Sequence, residues 1–228
     1  MKENTDMCFF LRDLPPTGRH WQPYFHRTFE IYTRLWRFQQ THREALDNPE
    51  VYGLKRWEIG EIASKIGQLY YHYYLRTSET NYLYESYIFY EAIRDRLYFN
   101  EVLGTGNAAL MVKKLRYYAR FIVVCLLLNM NDMIKALIEE LTLCIEQYTN
   151  TYRQPDSAEW NVVLSEIATF MEVIHSILTQ FSLDSHCILF YRLRGDWLLL
   201  MLKEMLCASC PDCRSRIVCA STRREIQS

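Results

Sequence analysis

Along most of the chain, large apolar residues recur at steps of three and four, the period of a helix with one buried stripe. Trp21, Phe25, Phe29, Tyr32, Trp36 and Gln39 keep this spacing over about residues 23–45, and Asp47, Asn48 and Pro49 close the segment. A second helix is predicted over about 54–75. Ser78 reads as the N-cap of a third, which runs to Phe99 with Tyr82, Ser86, Phe89, Tyr90, Ile93 and Leu97 inward. GTGN at 104–107 is a loop, followed by helices over about 109–129 and 132–148, the latter with Asp132 as its cap. Asp156 or Ser157 caps a sixth helix whose Trp160, Val163, Ile167, Phe170 and Ile174 share one face, and a seventh is expected from Ser185. Between Gly67 and Pro155 there is no proline, and the only glycines are Gly104 and Gly106. That punctuation suits helices joined by short loops, and no strand alternation is visible. The pattern predicts an all-α fold.

Small and large residues also alternate in a way that suggests paired helices. Ile66, Gly67 and Tyr70, answered by Ser86, Tyr90 and Ile93, have the spacing of a tetratricopeptide-like hairpin, where a small residue admits the facing helix. Val123 and Leu127 with Ala136, Glu140 and Leu143 repeat the logic more weakly. The loop of the first hairpin reads as several residues too long for the standard repeat. The expected architecture is an array of antiparallel helical hairpins rather than a regular solenoid. It is expected over 21–174, after a flexible N-terminal segment (1–20) and before a divergent C-terminal helix with a poorly ordered cysteine-rich tail (175–228).

Composition narrows the class without naming a function. Half of the 228 residues are hydrophobic and 23% are charged, a globular balance, and the formal net charge of -1 offers no overall attraction to polyanions. The most apolar run, from Phe121 to Leu128, is too short for a span of about 20 residues. The N-terminus lacks the apolar core of a secretory signal, so a cytosolic or nuclear location with mostly reduced cysteines is expected.

Four features invite a functional reading. The first is the cluster Tyr70, Tyr71, His72, Tyr73 and Tyr74. On a helical wheel Tyr70, Tyr73 and Tyr74 share a face with Ile59, Ile62, Ala63 and Ile66, bordered by the small residues Gly60, Ser64 and Gly67. Tyr71 falls with Trp57 and Leu75 on a second strip, and His72 falls with Glu58, Glu61, Lys65 and Gln68 on the wet side. Base stacking needs exposed rings interleaved with cations, which are missing here, so packing is the expected role. The second is KKLRYYAR at 113–120, whose Lys113, Lys114, Arg116 and Arg120 form a basic patch. It is either a solvated face or a contact for an acidic partner or phosphate. The third is Cys207, Cys210 and Cys213 with Cys219, weak candidates for a metal because their spacing fits neither a zinc knuckle nor a ferredoxin. Cys8, Cys125, Cys144 and Cys187 read as buried or isolated thiols. The fourth is an RGD triplet at 194–196, discounted because it falls in a predicted helix. No nucleophile, metal-protease or nucleotide-loop motif occurs, which favours a binding protein with no cofactor.

Three long runs carry more than motifs do: YGLKRWEIGEIASKIGQLYYHYYLRTSETNYL (52–83), VKKLRYYARFIVVCLLLN (112–129) and AEWNVVLSEIATF (158–170). They closely resemble the protein SCAI family (suppressor of cancer cell invasion) over roughly 9–172. The resemblance implies a nuclear transcriptional corepressor, with the cytoplasm as the alternative location. It implies binding to a myocardin-related coactivator and restraint of serum-response-factor-dependent transcription, which affects cell migration. The alternative it implies is a nucleic-acid or chromatin-binding module acting with repair proteins at DNA double-strand breaks. It brings no enzymatic activity, cofactor, membrane, small-molecule substrate or catalytic residue. From about Val173 the sequence departs from the family pattern and reads as a truncated isoform. Trp160, Ile167 and Ile174 are then expected to form an exposed strip that favours aggregation or an unusual dimer. The patch Lys113, Lys114, Arg116 and Arg120 is the expected partner contact.

Overall fold

The computed structural model describes residues 20–48, 50–153 and 156–180, with side chains through Glu172 apart from that of Ser157. The expected seventh helix, the RGD triplet, Cys8, Cys187 and the four cysteines from Cys207 to Cys219 lie outside these residues. No strand occurs among the described residues, so the class is all-α as the periodicity predicts. The α-helices are α1 (Gln22–Thr41), α2 (Arg43–Asp47), α3 (Arg56–Thr77), α4 (Thr80–Asp95), α5 (Ala108–Leu127), α6 (Asn131–Tyr152) and α7 (Ser157–Gln180). A 3₁₀ turn, Asn100–Thr105, stands between α4 and α5. The chain divides into two compact units, Met1–Leu128 and Asn129–Ser228.

In the first unit α3 is the central helix, with α1, α4 and α5 each packed against it. No residue from Trp57 to Thr77 is fully exposed, so its expected wet side is in fact half-covered. The small-residue edge is what lets neighbours come that close. A Cβ at Gly67 would lie 3.2 Å from the ring of Tyr90, and one at Gly60 would lie 2.8 Å from the Cβ of Tyr98. Ser86 completes the contact by donating from Oγ to the carbonyl of Gly67 at 2.7 Å. The Tyr117 hydroxyl donates to the Tyr90 carbonyl at 3.1 Å and ties α5 to the same hairpin.

The α3/α4 junction differs from the sequence reading in two ways. Only Ser78 and Glu79 separate the helices, so the loop is short and the 22-residue α3 is what exceeds a standard repeat. Ser78 is the C-cap of α3, left-handed at φ 64°, with its N–H donating to Tyr74; Glu79 stands at the N-cap of α4. The far end differs too. α4 stops at Asp95, and Leu97, at φ 52°, is 61% exposed instead of inward. Tyr98 and Phe99 turn back into the core in its place. Along α1 the expected stripe holds: Trp21, Phe25, Tyr32 and Gln39 are buried, and Phe29 and Trp36 pack at its edge. α1 ends at Thr41, with His42 between it and the short α2.

In the second unit α6 and α7 form a hairpin, and the Tyr148 hydroxyl donates to Asp156 Oδ1 at 2.8 Å just before α7 begins. Trp160, Val163, Ile167 and Phe170 are all buried, which overturns the expectation that Trp160 and Ile167 lie exposed. Leu143, the large position of the weaker predicted pairing, is 58% exposed.

Candidate partner-binding face

The tyrosine cluster is built into the core. Tyr71, Tyr73 and Tyr74 are buried and Tyr70 is half-buried. The ring of Tyr73 meets Tyr82 at 4.4 Å, Trp21 and Phe25 at 5.5 Å and Phe29 at 5.6 Å. Tyr70 lies 4.7 Å from Phe29 and stacks on Tyr82 and Phe89. Edge and offset contacts of this kind add to the stabilisation from buried area. Arg76 covers the end of the cluster, 5.3 Å from the ring of Trp21 and 5.5 Å from Phe25, and burial lowers its pKa. Burial, then Glu85 and Tyr82, pushes the Tyr70 hydroxyl up; burial and Tyr82 do the same to Tyr73. Both phenols therefore stay protonated well above neutral pH. His72, expected in water, is half-buried.

One member of the basic patch on α5 is engaged by a carboxylate of α3. Lys113 Nζ sits 2.8 Å from Glu61 Oε1 and 2.9 Å from Oε2, and it lies 6.0 Å from the ring centroid of Trp57. Glu61 also faces Lys65 at 3.9 Å, so one carboxylate of α3 gathers two cations. Lys113 thus joins α5 to α3. Lys114, Arg116 and Arg120 are half-buried, and none of the four is fully exposed. The pair is 52 residues apart in sequence, and no local signal could have revealed it.

Two accessible surfaces went unmarked in the sequence. Asn81, Tyr84, Glu85 and Ile88 recur at helical spacing on the outer side of α4, opposite the buried Ser86, Tyr90 and Ile93. Their signal was present, since they are the positions the inward set leaves over. The other is the loop before α3, where Val51 and Tyr52 both reach solvent.

The thiols of the described residues are buried. Burial, then the nearby Glu91, pushes Cys125 up to about 12, the opposite of an activated nucleophile. Cys144 is also buried. Among the described residues no group of three or more His, Cys, Asp or Glu stands close enough to hold a metal ion, and no helix is long and apolar enough to cross a membrane.

A family model described as Protein SCAI matches residues 1–205. The match runs past the departure expected at about Val173 and stops short of Cys207. Protein SCAI of Mus musculus and of Homo sapiens are each 58% identical to the chain over 182 residues, covering 75% of it and 30% of their own length. Protein SCAI homolog of Dictyostelium discoideum is 62% identical over 172 residues, covering 75% of the chain and 22% of its own length. The chain therefore spans less than a third of the curated relatives it matches. No solved structure matches it.

Proposed function

The chain belongs to the SCAI family, and from that premise we propose that it is a binding module of a nuclear transcriptional corepressor. It engages a myocardin-related coactivator and so restrains serum-response-factor-dependent transcription, with cell migration as the downstream effect. Family membership over most of the chain carries this reading. The site chemistry agrees with it: the crowded tyrosines are packed against other rings and Cys125 is held as a neutral thiol, so neither supplies a reactive group at neutral pH. Partners are bound through helical surfaces that this core holds rigid.

Of the basic residues, Lys114 and Arg120 are the contacts to test first. Lys113 is already paired with Glu61, and reversing its charge would set two carboxylates against each other across the α3/α5 contact. That tether also weakens the nucleic-acid alternative, which needs several uncommitted cations in one groove. The test is co-precipitation of the coactivator with the chain, together with a serum-response reporter. Lys114→Glu/Arg120→Glu should weaken capture by roughly tenfold at an unchanged melting temperature, as expected for loss of partly exposed contacts to an acidic partner. Undiminished capture removes these residues from the interface. Absence of capture by the unaltered chain removes the coactivator from the proposal.

A further inference from the structure

Tyr52 is the most exposed large apolar side chain among the described residues, at 72%, and its neighbour Val51 is exposed beside it. Both lie in the connection between α2 and α3, where the carbonyl of Asn48 accepts from the N–H groups of Val51, Tyr52 and Gly53. Leu54 donates to the Leu46 carbonyl at 2.8 Å, and Gly53 turns the chain at φ 58°. A few turn hydrogen bonds therefore hold the segment, and drawing it out into an extended strand breaks no helix.

The sequence around the hydroxyl has a consistent chemistry. Glu50 stands two residues before it, the β-branched Val51 immediately before it, and Gly53 follows without a side chain. We propose that Tyr52 is a phosphoacceptor for a protein tyrosine kinase. A substrate groove that is basic on the side of the preceding residues and apolar next to the acceptor matches this order of charges. In the transfer, Tyr52 Oη forms a bond to the γ-phosphorus of ATP and the bond to the ADP oxygen breaks. The phenolic proton leaves to the base of the kinase. The product dianion would stand three residues before the exposed Lys55, next to the start of the long helix α3, where a helix N-terminus favours negative charge; Arg56 is already engaged by the Arg96 carbonyl.

Tyr24 and Tyr84 serve as internal references. They are exposed to 50% and 53%, but each sits within a helix whose turns must open before the residue can enter an extended groove. The full chain is incubated with Mg-ATP and a purified non-receptor tyrosine kinase domain active on a control peptide, and phosphopeptides are mapped by mass spectrometry. Tyr52 should carry more than half of the incorporated phosphate and fill roughly tenfold faster than Tyr24 or Tyr84. Tyr52→Phe should remove that share while the circular dichroism spectrum stays unchanged. No incorporation, less than half of it on Tyr52, or labelling undiminished in Tyr52→Phe overturns the assignment.

Discussion

Gly60 and Gly67 both admit a facing helix, but they differ in what an added methyl group would strike. At Gly60 the obstacle is the Cβ of Tyr98, 2.8 Å away, an atom fixed to the backbone. At Gly67 it is the ring of Tyr90 at 3.2 Å, fully buried and so unable to swing aside. Replacing a helical glycine with alanine gains about 1 kcal/mol in propensity, whereas overpacking costs about 1–3 kcal/mol. The clash wins clearly at Gly60, so Gly60→Ala should lower stability by about 1–2 kcal/mol; Gly67→Ala comes closer to balance and should lose less than about 1 kcal/mol. Gly104, with nothing within 4 Å, should tolerate alanine within about 0.5 kcal/mol. Urea unfolding of the three variants checks the order. If Gly60→Ala matches Gly104→Ala, the close approach of α3 to the Tyr98 turn is wrong.

Helix ends separate what could be read in the sequence from what could not. Spans and buried faces were legible because one stripe of apolar residues needs no knowledge of the partner. The ends were not, because one serine can serve either side of a junction. Ser78 has the residue type of an N-cap, yet with only one further residue before α4 it closes α3 and takes the left-handed conformation. Ser78→Gly should then raise stability by about 0.5–1 kcal/mol, since glycine pays no penalty for positive φ; a serine acting as an N-cap would lose stability on the same change. Asn107, read only as part of a loop, accepts from Ala109 N at 3.0 Å and Leu110 N at 3.4 Å and caps α5. Asn107→Ala should lower stability by about 1 kcal/mol in the same assay. The candidate site was legible in kind but not in detail. The run Lys113 to Arg120 was visible as basic, whereas the commitment of Lys113 to Glu61 appears only once α3 and α5 lie side by side.

At the scale of the molecule, these local arrangements add up to one dependence on pH. The neutral acids whose pKa values are raised belong to three helices of the first unit: Tyr70 and Tyr73 on α3, Tyr87 on α4 and Cys125 on α5. All four are shifted upward, chiefly by burial, and Tyr87 also donates its hydroxyl to Glu91. Each therefore holds its proton more tightly folded than unfolded. A group raised on folding contributes its full stability below its unfolded value and loses that contribution as pH climbs toward the folded one. For Cys125 the window opens near its ordinary value of 9.0 and closes near 12; the tyrosines add to the loss from about 10 upward. Stability should stay level with respect to these groups up to pH 8–9 and then fall, with Cys125 alone accounting for about 2 kcal/mol by pH 10.5. Urea midpoints taken from pH 8 to 10.5 measure the slope, and Cys125→Ala should make it shallower even though the lost sulfur lowers stability at every pH. A thiol reagent at pH 8 should label Cys125 only at the rate of unfolding. Rapid labelling of the folded chain at Cys125, or an unchanged alkaline slope in Cys125→Ala, would place that thiol outside the core.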